Sequence, residues 1–367
     1  MGTSEPLLNL FGMERAELVG VVHELGERSY RADQLFDWLY RQRAKTLEDM
    51  SNLPRALREK LGTKWRIHRP DIAEQSLSYD GTRKYLFRLE DGATVESVYI
   101  PARSRRTICI STQAGCPLKC AFCLTGIAGF TRNLQVSEIL GQVAAVIDEA
   151  PPLETPEEPR HWNVVVMGMG EPLLNEAAMF PALRVLMDPK GFAVPPRKLT
   201  LSTVGIIPAL ERLMLEPVRP SLAISLHAPT AQLRRDLMPI EERYPLDEVV
   251  ATVRRYANPS GGLVTFEYVL LGGVNDSRAD ARALGELLRG TPAKVNLIPL
   301  NPAPQIPFDP PTAEAIDIFC STLVEAGLPV SVRRSRGSDV LAACGQLHVK
   351  HARVVPHPSS RPAPPLA

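Results

Sequence analysis

The segment ICISTQAGCPLKCAFCLTG, residues 108–126, joins a short apolar strand-like run to a loop that holds three cysteines. Runs of the same kind recur down the chain and alternate with segments of helical periodicity, such as SEILGQVAAVI. The later runs are NVVVMG (163–168), KLTLST (198–203), SLAISLHA (221–228), VTFEYVLL (264–271), KVNLIPL (294–300) and VSVR (330–333). This alternation predicts an α/β fold built from parallel βα units, a partial or near-closed (β/α) barrel.

The pattern divides the chain into four expected segments. Residues 1–66 form a small N-terminal helical module, because SYRADQLFDWLYRQR places its apolar residues at helical spacing. Residues 67–105 hold two strand-like runs around Asp91-Gly92, which predicts a β-hairpin linker. The barrel is expected over residues 106–350, and the Pro-rich residues 351–367 are expected to be a disordered tail.

Composition excludes several classes of protein. The 44% apolar and 23% charged residues are typical of a globular protein, and no apolar run approaches the roughly 20 residues that cross a membrane. The N-terminus lacks a secretory signal, so we expect a cytoplasmic location without a membrane partner. The net charge of +1 gives no global case for nucleic-acid binding, and any RNA site must be a local patch.

The cysteine loop is the strongest chemical signal. Cys116, Cys120 and Cys123 follow the first barrel run with the spacing C-x-x-x-C-x-x-C. Three thiolates can bind three irons of a 4Fe-4S cluster and leave the fourth iron open, whereas ordinary electron-transfer clusters use four cysteines. A structural zinc site is the alternative, but the sequence has no second cysteine or histidine pair to complete one. The loop therefore predicts an iron-sulfur cluster with an open iron.

Further polar residues follow the ends of later runs. Parallel barrels build their sites at the carboxyl ends of the strands, so these residues are expected to face one pocket that suits a ribose, an adenine edge and a carboxylate. They are Gly170, Glu171, Ser202, Ser225, His227 and Asn301. Each also has a structural alternative: Glu171 or a serine can cap a helix, and His227 can be a buried core histidine.

Three more residues are ambiguous when each is taken alone. Cys109 lies in the run before the cluster loop, and Cys344 lies in the small-residue segment AACGQL. Either thiol can be a small buried hydrophobic group. Glu96 alternates at strand period with Val98 and Ile100, so burial would raise its pKa and suit it to general-base work, while a paired surface carboxylate is the alternative.

Taken together, the motifs resemble those of a known family. The three-cysteine spacing resembles the radical S-adenosylmethionine (SAM) superfamily. The ordered motifs resemble, across almost the whole chain, the bacterial adenine-C2 methyltransferase family that modifies 23S ribosomal RNA and tRNA. These motifs are VESVYIP, CISTQAGCPLKCAFC, GFTRNL, GMGEPLLN, LSTVGIIPAL, ISLHAP, LMPI, VNLIPLNP and AACGQL.

The resemblance implies a role for each candidate residue. The three loop cysteines would bind the 4Fe-4S cluster, and the six strand-end residues would surround SAM, of which two are used per turnover. Cys344 would carry a methyl group, which becomes a radical and adds to carbon 2 of adenine. Glu96 would then remove the ring proton from this adduct. Cys109 would release the RNA by forming a transient disulfide with Cys344.

The resemblance also implies partners: 23S rRNA, tRNA and an electron donor such as flavodoxin, for a chain expected to be a monomer. The target base must be exposed or flipped to reach a barrel interior. Basic residues beside the barrel mouth are candidates for RNA contacts: Arg103, Arg105, Arg106, Arg132, Arg333, Arg334 and Arg336.

Three other functions share part of the pattern. The sister enzyme that methylates carbon 8 of adenosine has similarly placed cysteines and a similar glutamate, but the segments FEYVLLGGVND and VNLIPLNP favour carbon 2. A non-catalytic iron-sulfur RNA-binding factor would bind RNA without cleaving SAM. A glycyl-radical activase would need the three-cysteine loop but not Cys344.

Overall fold

The computed structural model describes residues 6–103, 105–152, 161–256, 262–333 and 335–347. The predicted tail, residues 351–367, lies outside them, as does Arg334. No helix within these ranges is long and apolar enough to cross a membrane.

The strands are β1 (Leu8–Asn9), β2 (Trp65–Arg66), β3 (Asp71–Leu77), β4 (Arg83–Arg88), β5 (Thr94–Ala102), β6 (Arg105–Cys109), β7 (Gln113–Gly115), β8 (Phe130–Asn133), β9 (Trp162–Val166), β10 (Leu199–Thr203), β11 (Ser221–Ser225), β12 (Val264–Leu270), β13 (Ala293–Pro299) and β14 (Val330–Val332). The α-helices are α1 (Arg15–Glu24), α2 (Tyr30–Phe36), α3 (Arg55–Gly62), α4 (Leu124–Ala128), α5 (Val136–Glu149), α6 (Glu176–Met187), α7 (Ile207–Met214), α8 (Ala231–Leu237), α9 (Leu246–Arg254), α10 (Arg278–Leu287) and α11 (Ala313–Glu325).

The main sheet has a parallel core in simple chain order. The strands β6, β9, β10, β11, β12, β13 and β14 lie side by side, and each pairs in parallel with the next. Their apolar, β-branched residues are buried, as parallel strands covered by helices require. Over the described residues the sheet stays open, with β14 at one edge and β3 at the other. The predicted partial parallel barrel is confirmed.

The segment before the barrel extends this sheet. Strands β4 and β5 form the predicted hairpin around Asp91-Gly92, and Gly92 takes the positive φ of 84° that such a turn needs. Strand β5 then pairs antiparallel with β6, and β3 pairs with β4 at the outer edge. The hairpin therefore extends the barrel sheet with antiparallel strands and also connects the N-terminal module to the barrel. It places Glu96 next to the first barrel strand.

The N-terminal helices pack on the barrel through an aromatic cluster. Tyr40 lies in a π-helical turn that continues α2, and its ring contacts Phe11, Phe36 and Phe192. Phe192 follows α6, so this cluster joins the module to the barrel. The hydroxyl of Tyr40 donates to Met13 O at 2.7 Å, which satisfies its polar group inside the apolar contact.

Candidate active site

The cysteine loop is folded tightly against its neighbours. The short strands β7 and β8 pair at its base, where the amide of Cys116 donates to Gly129 O at 2.8 Å. Gly115 has φ 82°, and a Cβ there would lie 2.0 Å from that same oxygen, so only glycine fits. The amide of Ala121 donates to Leu237 O at 3.0 Å and so ties the loop to the end of α8.

The three thiols are in a suitable environment for an iron-sulfur cluster. Cys116 and Cys120 are buried and Cys123 is partly buried. Burial raises the pKa of Cys116 to about 12 and also raises the pKa values of Cys120 and Cys123, and the negative charge of one thiolate raises the pKa of its neighbours. Iron must therefore displace three thiol protons, and three soft thiolate donors from one loop are the ligand type that such a cluster takes. Across the described residues, no group of His, Cys, Asp or Glu is arranged to hold a single metal ion.

The GMGE segment after β9 lies against the start of the cysteine loop. A Cβ on Gly168 would lie 2.6 Å from Ser111 Oγ, and one on Gly170, at φ 98°, would lie 2.5 Å from Gln113 Cβ. Both glycines are thus required for this close approach.

The Glu171 carboxylate is buried and already accepts three hydrogen bonds. The donors are Leu173 N at 3.0 Å, Thr203 Oγ1 at 2.6 Å and Val204 N at 2.9 Å. Burial raises its pKa to about 7, although these donors favour the charged form. The helix-cap alternative is therefore realised, because the bond from Leu173 caps the turn at Pro172–Asn175. With about four acceptor positions, the carboxylate can still accept one more donor.

Ser202 and Ser225 are brought together as predicted. Their Oγ atoms lie 3.3 Å apart across the β10–β11 pair, and both residues are partly exposed. The row continues on the next strands, because Ser225 is paired with Glu267, and Glu267 with Asn296. Asn296 donates to the buried carboxylate of Glu267 at 2.6 Å.

His227 is a buried, neutral histidine. Its Nδ1 accepts from Val269 N at 3.0 Å, so the proton of the neutral ring lies on Nε2. Burial, aided by the charge of Arg234, lowers its pKa to about 3. The ring meets Phe122 of the cysteine loop edge to face, with centroids 4.8 Å apart. His227 therefore lies beside the predicted cluster loop and packs against it as a neutral ring.

Asn301 lies in the loop after β13 and contacts the segment that presents Cys344. Its Nδ2 donates to Cys344 O at 3.1 Å, and its Oδ1 accepts from Ser335 Oγ. The amide of Leu124, next to the cysteine loop, donates to Gly345 O at 2.8 Å. The segment that carries Cys344 is thus held directly against the predicted cluster site.

The two thiols distant in sequence share one arginine. Arg333 follows β14 and lines a small cavity together with Cys344 and Asn301. The negative charge of the Cys344 thiolate is the largest cause of the raised pKa of Arg333, with smaller contributions from Glu267 and Cys109. Burial raises the pKa of Cys109 to about 12, Cys344 adds to this, and Arg333 opposes it. Cys109, Cys344 and Arg333 therefore form one electrostatic cluster.

Glu96 completes the group from the neighbouring strand. Cys109 is paired with Val98, and Glu96 is two residues away on the same face of β5. Glu96 is buried, and Lys84 Nζ lies 3.0 Å from its Oε1. Ser111 Oγ donates to Glu96 O at 2.6 Å and also accepts from Met169 N at 2.8 Å. The sequence left a paired surface carboxylate as the alternative to burial, and the structure shows a carboxylate that is buried and also paired.

Several arginines proposed for RNA have internal partners instead. Arg132 forms paired hydrogen bonds with Asp91 and Glu138, and Arg333 is enclosed beside Cys344. Arg106 packs its guanidinium 4.0 Å from the Trp162 ring centroid. The expectation that these side chains contact RNA is weakened, because structural partners already occupy them.

Sequence reasoning missed Arg333, Lys84 and Arg234 as parts of the site. Lys84 had a usable signal, since it faces Val98 across the predicted hairpin and so shares a face with Glu96. Arg333 and Arg234 carried no local signal, because their partners come from other strands and helices.

The comparisons agree with this arrangement. Residues 8–67 match the family described as ribosomal RNA large subunit methyltransferase N-terminal domain, and residues 110–284 match the radical SAM superfamily. A radical SAM methyltransferase from Sphaerobacter thermophilus is 43% identical, with a TM-score of 0.85 over 93% of this chain and 99% of that one. The fold and the three-cysteine loop thus define a radical SAM methyltransferase. The chain belongs to the RlmN family of ribosomal RNA methyltransferases.

Two other solved structures are more distant. A domain of pyruvate-formate lyase-activating enzyme from Bacteroides vulgatus is 18% identical, with a TM-score of 0.36 over 47% of this chain and 99% of that one. The structure of Streptococcus suis SuiB bound to the precursor peptide SuiA is 12% identical, with a TM-score of 0.44 over 64% of this chain and 50% of that one. At these scores the likeness has no bearing on function.

Proposed function

We propose that this radical SAM methyltransferase methylates carbon 2 of adenosine in 23S rRNA and tRNA through a covalent protein-RNA adduct. The observation that carries the proposal is the convergence of Glu96, Cys109 and Cys344 beside the cysteine loop. A methyltransferase that only moved a methyl group from SAM to a nucleophilic atom would need neither thiol. A ring carbon that is too electron-poor to attack SAM does need an enzyme-bound carbon radical.

The loop cysteines Cys116, Cys120 and Cys123 hold the 4Fe-4S cluster in this proposal. When bound, the cluster supplies the electron that cleaves SAM to the 5′-deoxyadenosyl radical and accepts one electron back from the RNA adduct. Gly170 allows close approach of backbone and ligand, and Glu171 has one acceptor position left for the amino group of SAM. The other contacts proposed for SAM come from Ser202, Ser225, His227 and Asn301.

Cys344 carries the methyl group. Its thiolate sulfur attacks the methyl carbon of one SAM, so a sulfur-methyl bond forms on Cys344 as the methyl-sulfonium bond breaks and S-adenosylhomocysteine leaves. Arg333 lies beside this sulfur. The S-methyl group of Cys344 would give up a hydrogen atom to the adenosyl radical from a second SAM, which would become 5′-deoxyadenosine, and the methylene carbon left on Cys344 would bond to carbon 2 of adenine.

Glu96 and Cys109 resolve the adduct. Once the adduct has lost one electron, Glu96 takes the proton from carbon 2, and the electron pair of the broken C–H bond stays in the ring. Cys109 then attacks the sulfur of Cys344, so a disulfide forms as the sulfur-methylene bond breaks. The pair from that bond goes to the methylene carbon, which takes up a proton and becomes methyl. An external dithiol must reduce the disulfide before the next turnover.

We further propose that residues 1–66 contact RNA and that residues 67–105 link them to the barrel of residues 106–350. A flavodoxin-like protein would supply electrons to a monomeric enzyme. The ribosomal RNA family match over residues 8–67 supports the RNA role of the first segment.

Adduct trapping tests the proposal. Cys109→Ala keeps the carrier and the cluster but removes the attacking thiol, so the anaerobically reconstituted variant should accumulate RNA bound to protein on a denaturing gel. Cys344→Ala should give neither adduct nor product while it retains the absorbance of the cluster. Cys320→Ala is the matched control, because this thiol lies in α11 outside the site. Methylation by the Cys344 variant would refute the carrier role, and an 8-methyladenosine product would refute the position.

A further inference from the structure

Lys84 lies between the proposed base and the segment that carries Cys344. Its Nζ is 3.0 Å from Glu96 Oε1 and 3.5 Å from Leu341 O. Both members of the ion pair are largely enclosed, with side-chain exposures of 15% for Lys84 and 6% for Glu96. An ion pair in such a position is seldom held for stability alone, because desolvating two charges offsets most of their attraction.

The register of the hairpin fixes this position. Lys84 lies opposite Val98, and Leu86 lies opposite Glu96, so the lysine reaches the carboxylate diagonally on one face. Cys109 is paired with the same Val98 from the other side. The ammonium group thus belongs to the face that holds both the base and the resolving thiol.

The Cys344 segment is fastened to the turn that precedes Lys84. Ser78 Oγ donates to Asp339 Oδ1 at 2.6 Å, and the amide of Gly337 donates to Asp80 Oδ2 at 3.2 Å. Leu341, whose carbonyl lies near Lys84, has a positive φ of 53°, a conformation that costs energy unless its surroundings hold it. The contact from Lys84 is one of the contacts that hold this segment over Glu96.

We propose that Lys84 is a positioning residue that keeps Glu96 ionised and aligned with the Cys344 segment for removal of the carbon 2 proton. A base must be ionised before it can accept a proton, and an ammonium group at 3.0 Å favours that form. When Glu96 takes the proton, its negative charge is lost and Lys84 is left with less compensation. The ammonium group therefore favours release of this proton to water, which returns Glu96 to its charged state.

This inference rests on the proposed role of Glu96, so the test separates the two. Reconstituted enzyme is mixed with SAM and an RNA that contains the target, and samples are quenched over time. Gel shift measures formation and loss of the protein-RNA adduct, and mass spectrometry measures methyladenosine. The variants are Glu96→Gln, Lys84→Met and Lys84→Arg, with Lys190→Met as a control that removes an exposed lysine paired with Asp33.

Lys84→Met should form the adduct at the wild-type rate but resolve it about tenfold more slowly or worse, because Glu96 loses the ammonium group that favours its ionised form and fixes its position. Lys84→Arg, which keeps the charge, should restore resolution, and Lys190→Met should match wild type. Resolution by Lys84→Met at the wild-type rate, or equal loss of formation and resolution, would overturn the inference. If Lys84→Met does not bind iron, Lys84→Gln takes its place under the same criteria.

The Glu96 variant tells the two failures apart. If Glu96→Gln traps the adduct while Lys84→Met resolves it normally, the role of Lys84 is wrong and the proposed function stands. If Glu96→Gln releases methylated RNA without any adduct, the proposed role of Glu96 fails, and the inference about Lys84 fails with it.

Discussion

Breaking the buried ion pair behind the cysteine loop should loosen that loop. Arg234 on α8 is fully buried and donates to Glu241 Oε2 at 2.5 Å, to Tyr244 O at 3.0 Å and to Val204 O at 2.8 Å. The same helix ends at Leu237, whose carbonyl accepts the amide of Ala121 in the loop. Arg234→Met removes the guanidinium and leaves the Glu241 carboxylate buried without its cation.

The expected cost is about 3–5 kcal/mol, the usual penalty for removing one partner of a buried pair. A change of about 1.4 kcal/mol alters the equilibrium constant for local opening tenfold. Amides of α8 whose exchange follows local opening should therefore exchange hydrogen roughly 100-fold to several thousand-fold faster than in the wild-type protein. Hydrogen exchange read by mass spectrometry on peptides covering residues 231–246 measures this. Iron bound per chain after reconstitution should fall in parallel.

Two controls sharpen the measurement. Arg212→Met breaks an exposed pair with Glu176 and should cost less than about 1 kcal/mol. The double variant Arg234→Met with Glu241→Leu removes both charges and should cost less than Arg234→Met alone, because no isolated buried charge remains. A single-variant cost below about 1 kcal/mol, or a double variant worse than the single one, would refute the reasoning.

Three further outcomes are expected. Burial lowers the pKa of His227 to about 3 in the folded protein from an ordinary value of 6.5, so the unfolded chain binds a proton first as the pH falls. The free energy of unfolding in urea should therefore be constant above pH 6.5 and fall by about 2 kcal/mol by pH 5. His227→Asn should lose this dependence on pH. Cys109, with a pKa of about 12, should react with iodoacetamide about tenfold faster per pH unit between about pH 7 and 9, and a flat profile would contradict its burial as a thiol. Gly170→Ala should lower stability and SAM binding, because Gly170 has a φ of 98° and an added Cβ would collide with Gln113. Gly20→Ala in α1 should raise stability by about 0.5–1 kcal/mol, because the space around Gly20 is open. Equal thermal midpoints for the two variants would contradict this expectation.

The parallel sheet could be predicted because its signal is local. Each strand run carries its own apolar residues, and right-handed crossovers leave few ways to order consecutive βα units. The same logic placed Ser202 and Ser225 at one end of the sheet, and their hydroxyl groups lie 3.3 Å apart. Glu96 was recognised from strand period, but that period left open whether its carboxylate is buried or at the surface.

The contacts around these residues could not be predicted, because they depend on non-local packing. Arg333 and Cys344 come near Cys109 only once the last strand has paired with the sheet. Both residues are more than 200 positions away from Cys109 in the sequence. Asn301 was expected to meet SAM, and the structure shows it donating to the Cys344 carbonyl. The sequence left two roles for Glu171, a contact to a ligand or a helix cap. No sequence pattern could reveal that its carboxylate accepts three internal hydrogen bonds.

The most direct test of the central claim is the position of the transferred methyl group. The enzyme is reconstituted anaerobically with iron and sulfide, reduced, and incubated with a 23S rRNA fragment or tRNA and SAM labelled in its methyl group. The account predicts 5′-deoxyadenosine together with label on carbon 2 of adenine. Cys344→Ala should place no label on adenine, and any 5′-deoxyadenosine it forms should come from uncoupled cleavage of SAM. Label on carbon 8 alone, or RNA binding without any 5′-deoxyadenosine, would contradict it.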